Sequence, residues 1–193
     1  DEAIKGVLDA AFGCAGQRRS SCERIIVVAP IYERLMGRLV EAARSKGVGP
    51  ADDPATSVPP VIDEATYNAV CAAIKAGESE GRCVLTTDVT EARGKAGGAY
   101  YVAPTIFADL RPDARLAREP VGGPVLAVLK VADMDEAIRV FNDVEYALVG
   151  GIYSRSPANI ERARQECECG NFYINRVVTG EKVDLQPFGG FRM

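Results

Sequence analysis

Six cysteines, at positions 14, 22, 71, 83, 167 and 169, are the only thiols in a 193-residue chain that contains no histidine. A structural zinc site is usually built from closely spaced cysteine and histidine ligands. These cysteines offer no Cys-x-x-Cys spacing, and Cys167 with Cys169 is the one close pair. No metal site is therefore expected, and the thiols read as small, free, apolar side chains. Nucleophilic catalysis is the other use of sulfur, and Cys14 and Cys22 bracket a stretch rich in polar residues, Gly16-Gln17-Arg18-Arg19-Ser20-Ser21. Arg19 at its centre is excluded from that role, since a guanidinium keeps its proton and has no lone pair with which to attack a carbonyl. The pairs Gly97-Gly98 and Gly122-Gly123 lack the spacing of a phosphate-binding loop.

The stretch from Phe12 to Arg24 resembles the active-site signature of the aldehyde dehydrogenase family, Phe-x-x-x-Gly-Gln-x-Cys followed five residues later by arginine. Phe12, Gly16, Gln17 and Arg24 match, and Arg19 stands at the position of the nucleophilic cysteine. Further motifs follow in family order: Val48-Gly49-Pro50, Tyr101 to Phe107, Gly123-Pro124-Val125, Gly150-Gly151-Ile152-Tyr153-Ser154 and Gly170-Asn171-Phe172-Tyr173-Ile174-Asn175-Arg176. The run Asn175 to Gly180, followed by Gln186-Pro187-Phe188-Gly189-Gly190, is similar to the 1-pyrroline-5-carboxylate dehydrogenase branch, which oxidises glutamate semialdehyde to glutamate in proline catabolism.

That resemblance implies an oxidoreductase ancestry with NAD(P) as cofactor, and it also implies damage. Loss of the attacking group from a covalent enzyme commonly removes about six orders of magnitude of rate. Cys22 and Cys14 are the candidate surrogates, but Cys22 lies three residues beyond position 19, which moves its sulfur by about 5 Å, whereas reacting atoms must come within about 3 to 3.5 Å. The family's cofactor-clamping carboxylate and phenyl ring fall on Pro120 and Gly122. Glu119 lies one place early, which on an extended segment faces the opposite side, and reads as a solvated carboxylate beside Arg118. At the substrate end Ser20, Gly180 and Phe188 match the branch, while Glu181 replaces the usual alanine and would repel a carboxylate. Arg19 is either an offsetting anion-binding group or a salt-bridged structural arginine. The family's general-base glutamate, oxyanion asparagine and dinucleotide domain are expected N-terminal to anything present. Two functions stay open: a catalytic-domain portion of such a dehydrogenase, inactive as it stands, or a non-catalytic module for assembly or small-carboxylate binding, with a homo-oligomer and the parent's cofactor domain as partners.

Composition sets the frame for these sites. With 47% hydrophobic residues the chain can bury one sizeable core, and its glycines and prolines are scattered, so residues 1–193 are expected to form a single domain. A net charge of -4 disfavours nucleic-acid and anionic-membrane surfaces. The apolar runs are too short to span a bilayer, and a soluble cytoplasmic protein is expected.

The elements that must carry the site alternate. Ile4, Val7, Leu8 and Ala11 predict a helix leading to Gly16, and Arg24 to Val28 predicts a strand buried on both faces. Ile31, Leu35 and Leu39 predict the inner face of the next helix. A loop is expected over 47–60, then a helix capped by Asp63 with Tyr67, Val70, Cys71 and Ile74 inward. Cys83 to Thr86 reads as a strand and 88–98 as a polar excursion. Asp133 caps a helix burying Met134, Ala137, Ile138 and Phe141. A strand over 148–153, a helix begun by Ser156-Pro157 and a strand over 172–174 complete the pattern. This alternation predicts an α/β layered domain with a largely parallel twisted sheet flanked by helices.

Overall fold

Short apolar runs without polar alternation become strands covered on both faces, and two such runs form the centre of this molecule. The computed structural model describes residues 1–90, 92, 98–182, 184–185 and 187–190. Along it lie α1 (Glu2–Phe12), a 3-10 turn (Gly13–Gly16), β1 (Arg24–Val28), α2 (Ala29–Arg44), α3 (Glu64–Gly77), β2 (Arg82–Thr86) and β3 (Thr105–Ala108). The short α4 (Arg115–Arg118) follows, then β4 (Val125–Val131), α5 (Met134–Asn142), β5 (Val149–Ile152), α6 (Pro157–Glu166) and β6 (Asn171–Ile174). Most of the polar excursion expected over 88–98 lies outside the described residues.

The strands form two sheets rather than one. The larger has the order β1-β4-β3-β2, and β5-β6 stands apart as a pair. β1 and β3 both run parallel to β4, with Arg24 opposite Ala127 and Thr105 opposite Val125. β5 runs parallel to β6, and only β2 is antiparallel, on the outer edge of β3. The sheet is thus largely parallel and flanked by helices, as the alternation predicts. All four residues of β3 are buried, as is every residue of β4 except Lys130. β3 escapes sequence periodicity because a four-residue run with three apolar positions carries no period of its own.

Caps place the helices as their sequences dictate. Asp63 accepts from Thr66 N at 2.7 Å, Asp133 from Glu136 N at 3.0 Å and Ser156 from Asn159 N at 3.3 Å. Pro30 and Pro157 sit in the first turns of α2 and α6, where a missing N–H is harmless.

Three inward faces differ from expectation. On α2 the buried residues are Tyr32, Met36, Leu39 and Ala43, while Ile31 is 38% exposed. On α5 Ile138 and Val140 are buried, and Met134, Ala137 and Phe141 are only partly covered. β1 is fully buried only at Val27. All three face the space between the two sheets, which leaves a groove of about 810 Å³.

One close approach holds the candidate site against this frame. Gly16 has φ +68°, and a Cβ there would stand 2.1 Å from the carbonyl oxygen of Gly123. Both backbone conformation and contact reject a side chain, so Gly16→Ala is expected to destabilise the chain by more than about 2 kcal/mol. Urea unfolding should show a lowered midpoint with an unchanged slope; an unchanged midpoint would mean that this contact is slack.

Candidate active site

The matched signature residues that remain are those that shape the loop. After the buried Phe12, three successive residues adopt positive φ: Cys14 at 53°, Ala15 at 54° and Gly16 at 68°. This left-handed corner turns the chain out of α1. Gln17 then ties it down, donating from Nε2 to Cys14 O at 3.1 Å and accepting from Ile62 N at 2.9 Å. Ser21 N donates to Arg18 O at 3.0 Å, and Cys22 N to Ala10 O at 3.1 Å. Arg24 ends the loop with a guanidinium that donates to Ala117 O and Val140 O, each at 3.3 Å, and to Phe141 O at 2.8 Å. Those carbonyls belong to α4 and the last turn of α5, where backbone acceptors have no intrahelical partner.

At the centre of this loop Arg19 is exposed and lines the groove. It forms no hydrogen bond or ion pair with the described residues, so it is not the salt-bridged structural arginine considered above. Cys22 lines the same groove, but its Sγ donates to Arg24 O at 3.5 Å. Burial, reinforced by the neighbouring Glu23, pushes its thiol up to about 12. Such a thiol stays protonated at neutral pH. Cys14 is exposed on the left-handed corner and is not among the residues lining the groove.

The substrate-end residues divide. Ser20 is 2% exposed and donates to Glu181 Oε1 at 3.0 Å. The Glu181 carboxylate is therefore brought to the nucleophile loop, where it meets a hydroxyl rather than Arg19. Gly180 O accepts from Arg176 Nη2 at 2.6 Å. Phe188 is 49% exposed, on a segment fastened to the start of β6 by Asn171, which donates to Pro187 O at 2.9 Å and accepts from Gly189 N at 3.2 Å. Gln186 lies outside the described residues. No described contact joins Phe188 or Gly180 to Arg19.

Of the cofactor segment, Glu119 and Pro120 line the groove beside Arg19 and Cys22. Glu119 is exposed and pairs with Arg115 across one helical turn, not with Arg118, which pairs with Asp143 at 2.9 Å. The helical turn of α4 sets this pairing, because residues four apart share a face and adjacent ones do not. Gly122 has φ +65° and carries no side chain. Its N–H and that of Val121 each donate to Glu23 Oε1 at 3.1 Å.

Glu23 was not singled out by sequence reasoning, although its place beside Arg24 in the signature was the available signal. Burial raises its carboxyl above the ordinary 4.5, outweighing the lowering by the Gly122 and Val121 amides. A folded state with the higher value binds more protons than the unfolded state in the window above about 4.5, so stability falls as pH rises through it. Glu23→Gln keeps an acceptor for both amides and is expected to flatten that fall. Urea midpoints taken from about pH 4 to 7 should lose their downward trend; the same trend in the variant would assign it to another group.

Comparison with known proteins gives this loop its context. Residues 1–193 match the model of the aldehyde dehydrogenase family. The 1-pyrroline-5-carboxylate dehydrogenase of Geobacillus sp. (strain WCH70) is 40% identical over 191 residues, which are 99% of this chain and 36% of that protein. The chain thus spans about a third of the length of such relatives. Among solved structures, proline utilization A from Bdellovibrio bacteriovorus, inactivated by N-propargylglycine, superposes with a TM-score of 0.94 at 42% identity, over 100% of this chain and 19% of that one. The 1-pyrroline-5-carboxylate dehydrogenase from Thermus with bound NAD gives 0.92 at 39% identity, over 98% of this chain and 36% of that one. A corner at Gly16, a buried signature phenylalanine and a β1 begun by Arg24 therefore stand in a known frame, and the chain belongs to the aldehyde dehydrogenase family.

Proposed function

We propose that these 193 residues form one catalytic-domain module of an aldehyde dehydrogenase of the 1-pyrroline-5-carboxylate type, in which the covalent step has been lost. The observation that carries this reading is Arg19, an exposed guanidinium at the signature's nucleophile position, beside a Cys22 whose thiol is held at about 12. A thiohemiacetal needs a thiolate within reach of the carbonyl, and neither residue offers one. NAD(P) is the cofactor of the family reading, yet the residues here do not fit it. Pro120 has no carboxylate for a ribose, Gly122 has no ring, and the Gly122 N–H is engaged by Glu23.

What persists serves architecture. Gly16, Gln17 and Arg24 each have a positioning contact, which supports a module kept for the assembly of a larger polypeptide. Six free cysteines suit a reducing compartment such as the cytoplasm. No helix among the described residues is long and apolar enough to cross a membrane. A small-carboxylate site without turnover draws support from the unpaired Arg19, and calorimetry with glutamate and proline tests it; heat equal to that of dilution removes it.

The main reading is tested in the polypeptide that contains this chain, by aldehyde-dependent NADH formation from glutamate semialdehyde. The unmodified protein and Cys22→Ala are both expected to match the blank. Turnover by the former that Cys22→Ala abolishes, with folding intact by circular dichroism, would overturn it.

A further inference from the structure

The loop after β6 is clamped at both ends and carries one side chain to the signature loop. Asn175 has a left-handed φ of 52°. It donates from Nδ2 to Ser154 O at 2.9 Å and accepts from Ser154 N at 2.8 Å, which fixes the start of the loop to the end of β5. Arg176 spans the rest. Its Nη2 donates to Gly180 O at 2.6 Å, and its guanidinium stands 5.2 Å from the centre of the Tyr173 ring. A Cβ at residue 180 would stand 2.7 Å from that Nη2 and 3.1 Å from Val177 O, so glycine lets the turn close. Residue 181 follows directly.

The carboxylate delivered there is poorly served. Glu181 Oε1 accepts from the hydroxyl of the buried Ser20 at 3.0 Å. Glu181 Oε2 is also shut off from solvent, and it has no hydrogen-bond partner among the described residues. Burying a carboxylate is favourable only when its oxygens are satisfied, and one neutral hydroxyl is a weak donor set for a charge. Neither Arg19 nor Arg176 supplies more: Arg19 is exposed and forms no ion pair with the described residues, and Arg176 is engaged by Gly180 O. The carboxylate is thus held at Ser20 by its tether and not by an opposite charge.

We propose that Glu181 is an internal occupant: its carboxylate fills the place at Ser20 that a small acid from solution would take, which makes residue 181 the determinant that excludes acids from this end of the chain. An outside acid meets a hydroxyl already engaged, a volume already filled and a charge of its own sign. The tether also gives the occupant an effective concentration of about a millimolar or more, which a dilute acid does not match. Beyond Cβ the side chain is one methylene and one carboxylate, the heavy atoms of acetate. Glu181→Ala therefore vacates an acetate-sized place beside the Ser20 hydroxyl. The inference rests on the reading of Ser20 and residue 181 as a substrate end, and with Glu181 in place the calorimetry above should return only the heat of dilution.

The test is thermal unfolding of the chain in sodium acetate against sodium chloride, at equal ionic strength and neutral pH. The unmodified protein is compared with Glu181→Ala and with the double variant Ser20→Ala, Glu181→Ala. Alanine is the residue usual here in the branch, so the single variant is expected to fold; Glu181→Ser vacates nearly the same place and carries the same test should it not. Acetate is expected to raise the melting temperature of Glu181→Ala saturably, by about 3 to 6 °C at ten times its dissociation constant, and to leave the other two proteins unchanged. No rise in the vacated variant overturns the proposal. An equal rise in the unmodified protein would be a general salt effect, and a rise that survives the loss of the Ser20 hydroxyl would place the anion elsewhere; either result also overturns it. Turnover in the assay above would remove the reading of a lost covalent step and leave each of these outcomes as it stands, so the two fail separately.

Discussion

Arg19→Cys is expected to create the most alkylation-sensitive position in the loop, reacting with iodoacetamide at pH 7 about two to three orders of magnitude faster than Cys22 in the same peptide. The argument is one of environment. Position 19 is exposed at the groove, so a thiol there ionises near the ordinary cysteine range of about 8.5. Cys22 is held at about 12 by burial and by Glu23, and its sulfur is already donating to Arg24 O. The greater intrinsic nucleophilicity of a high-pKa thiolate recovers part of the difference, which is why the ratio falls below that of the ionised fractions. Tandem mass spectrometry of the peptide ending at Arg24 resolves the two sites, and Cys14 serves as an exposed internal standard. Equal rates at the two sites would mean that Cys22 is accessible and ionisable, and the reading of a lost nucleophile would fail with it.

Arg24→Ala is expected to destabilise the chain by about 3 to 5 kcal/mol. Its guanidinium serves three carbonyls at once, those of Ala117, Val140 and Phe141, and so fastens β1 to the ends of α4 and α5. Removing the fork leaves three partly buried acceptors without a donor, each worth about 1 to 3 kcal/mol when unsatisfied. The released charge also alters a neighbouring pair, because Arg118 is held at Asp143 on the same side. Arg24→Lys keeps the charge but not the planar fork, and should recover only part of the loss. Urea titration measures both; a shift below about 1 kcal/mol for alanine would place Arg24 among ordinary surface arginines.

Much of the fold was legible because local signals agreed. The caps at Asp63, Asp133 and Ser156, the prolines at the starts of α2 and α6, and the unbroken apolar run of β1 each act over a few residues, and the sequence contains all the information they need. The family frame was legible for a different reason, since the residues of the Phe12-to-Arg24 signature that set the corner are still in place. β3 was not legible, because a run as short as Thr105 to Ala108 fits a strand and a buried turn equally well. Glu119 reads as a solvated carboxylate and is exposed; its pairing with Arg115 was not legible because α4 is too short to announce a helical turn.

The sequence by itself determined what three positions cannot supply: a guanidinium at position 19 has no lone pair in any fold, and a proline and a glycine at 120 and 122 bring neither carboxylate nor ring. Tertiary structure alone decided the states of the groups that remain. Whether Cys22 could replace the missing thiol depends on desolvation and on Glu23 beside it, which are properties of packing rather than of residue type. That Ser20 meets Glu181, 161 residues away along the chain, depends on a loop closing across the molecule. The split of the sheet is of the same kind, because no strand's sequence states which neighbour it pairs with, and only the assembled backbone sets β1-β4-β3-β2 apart from β5-β6.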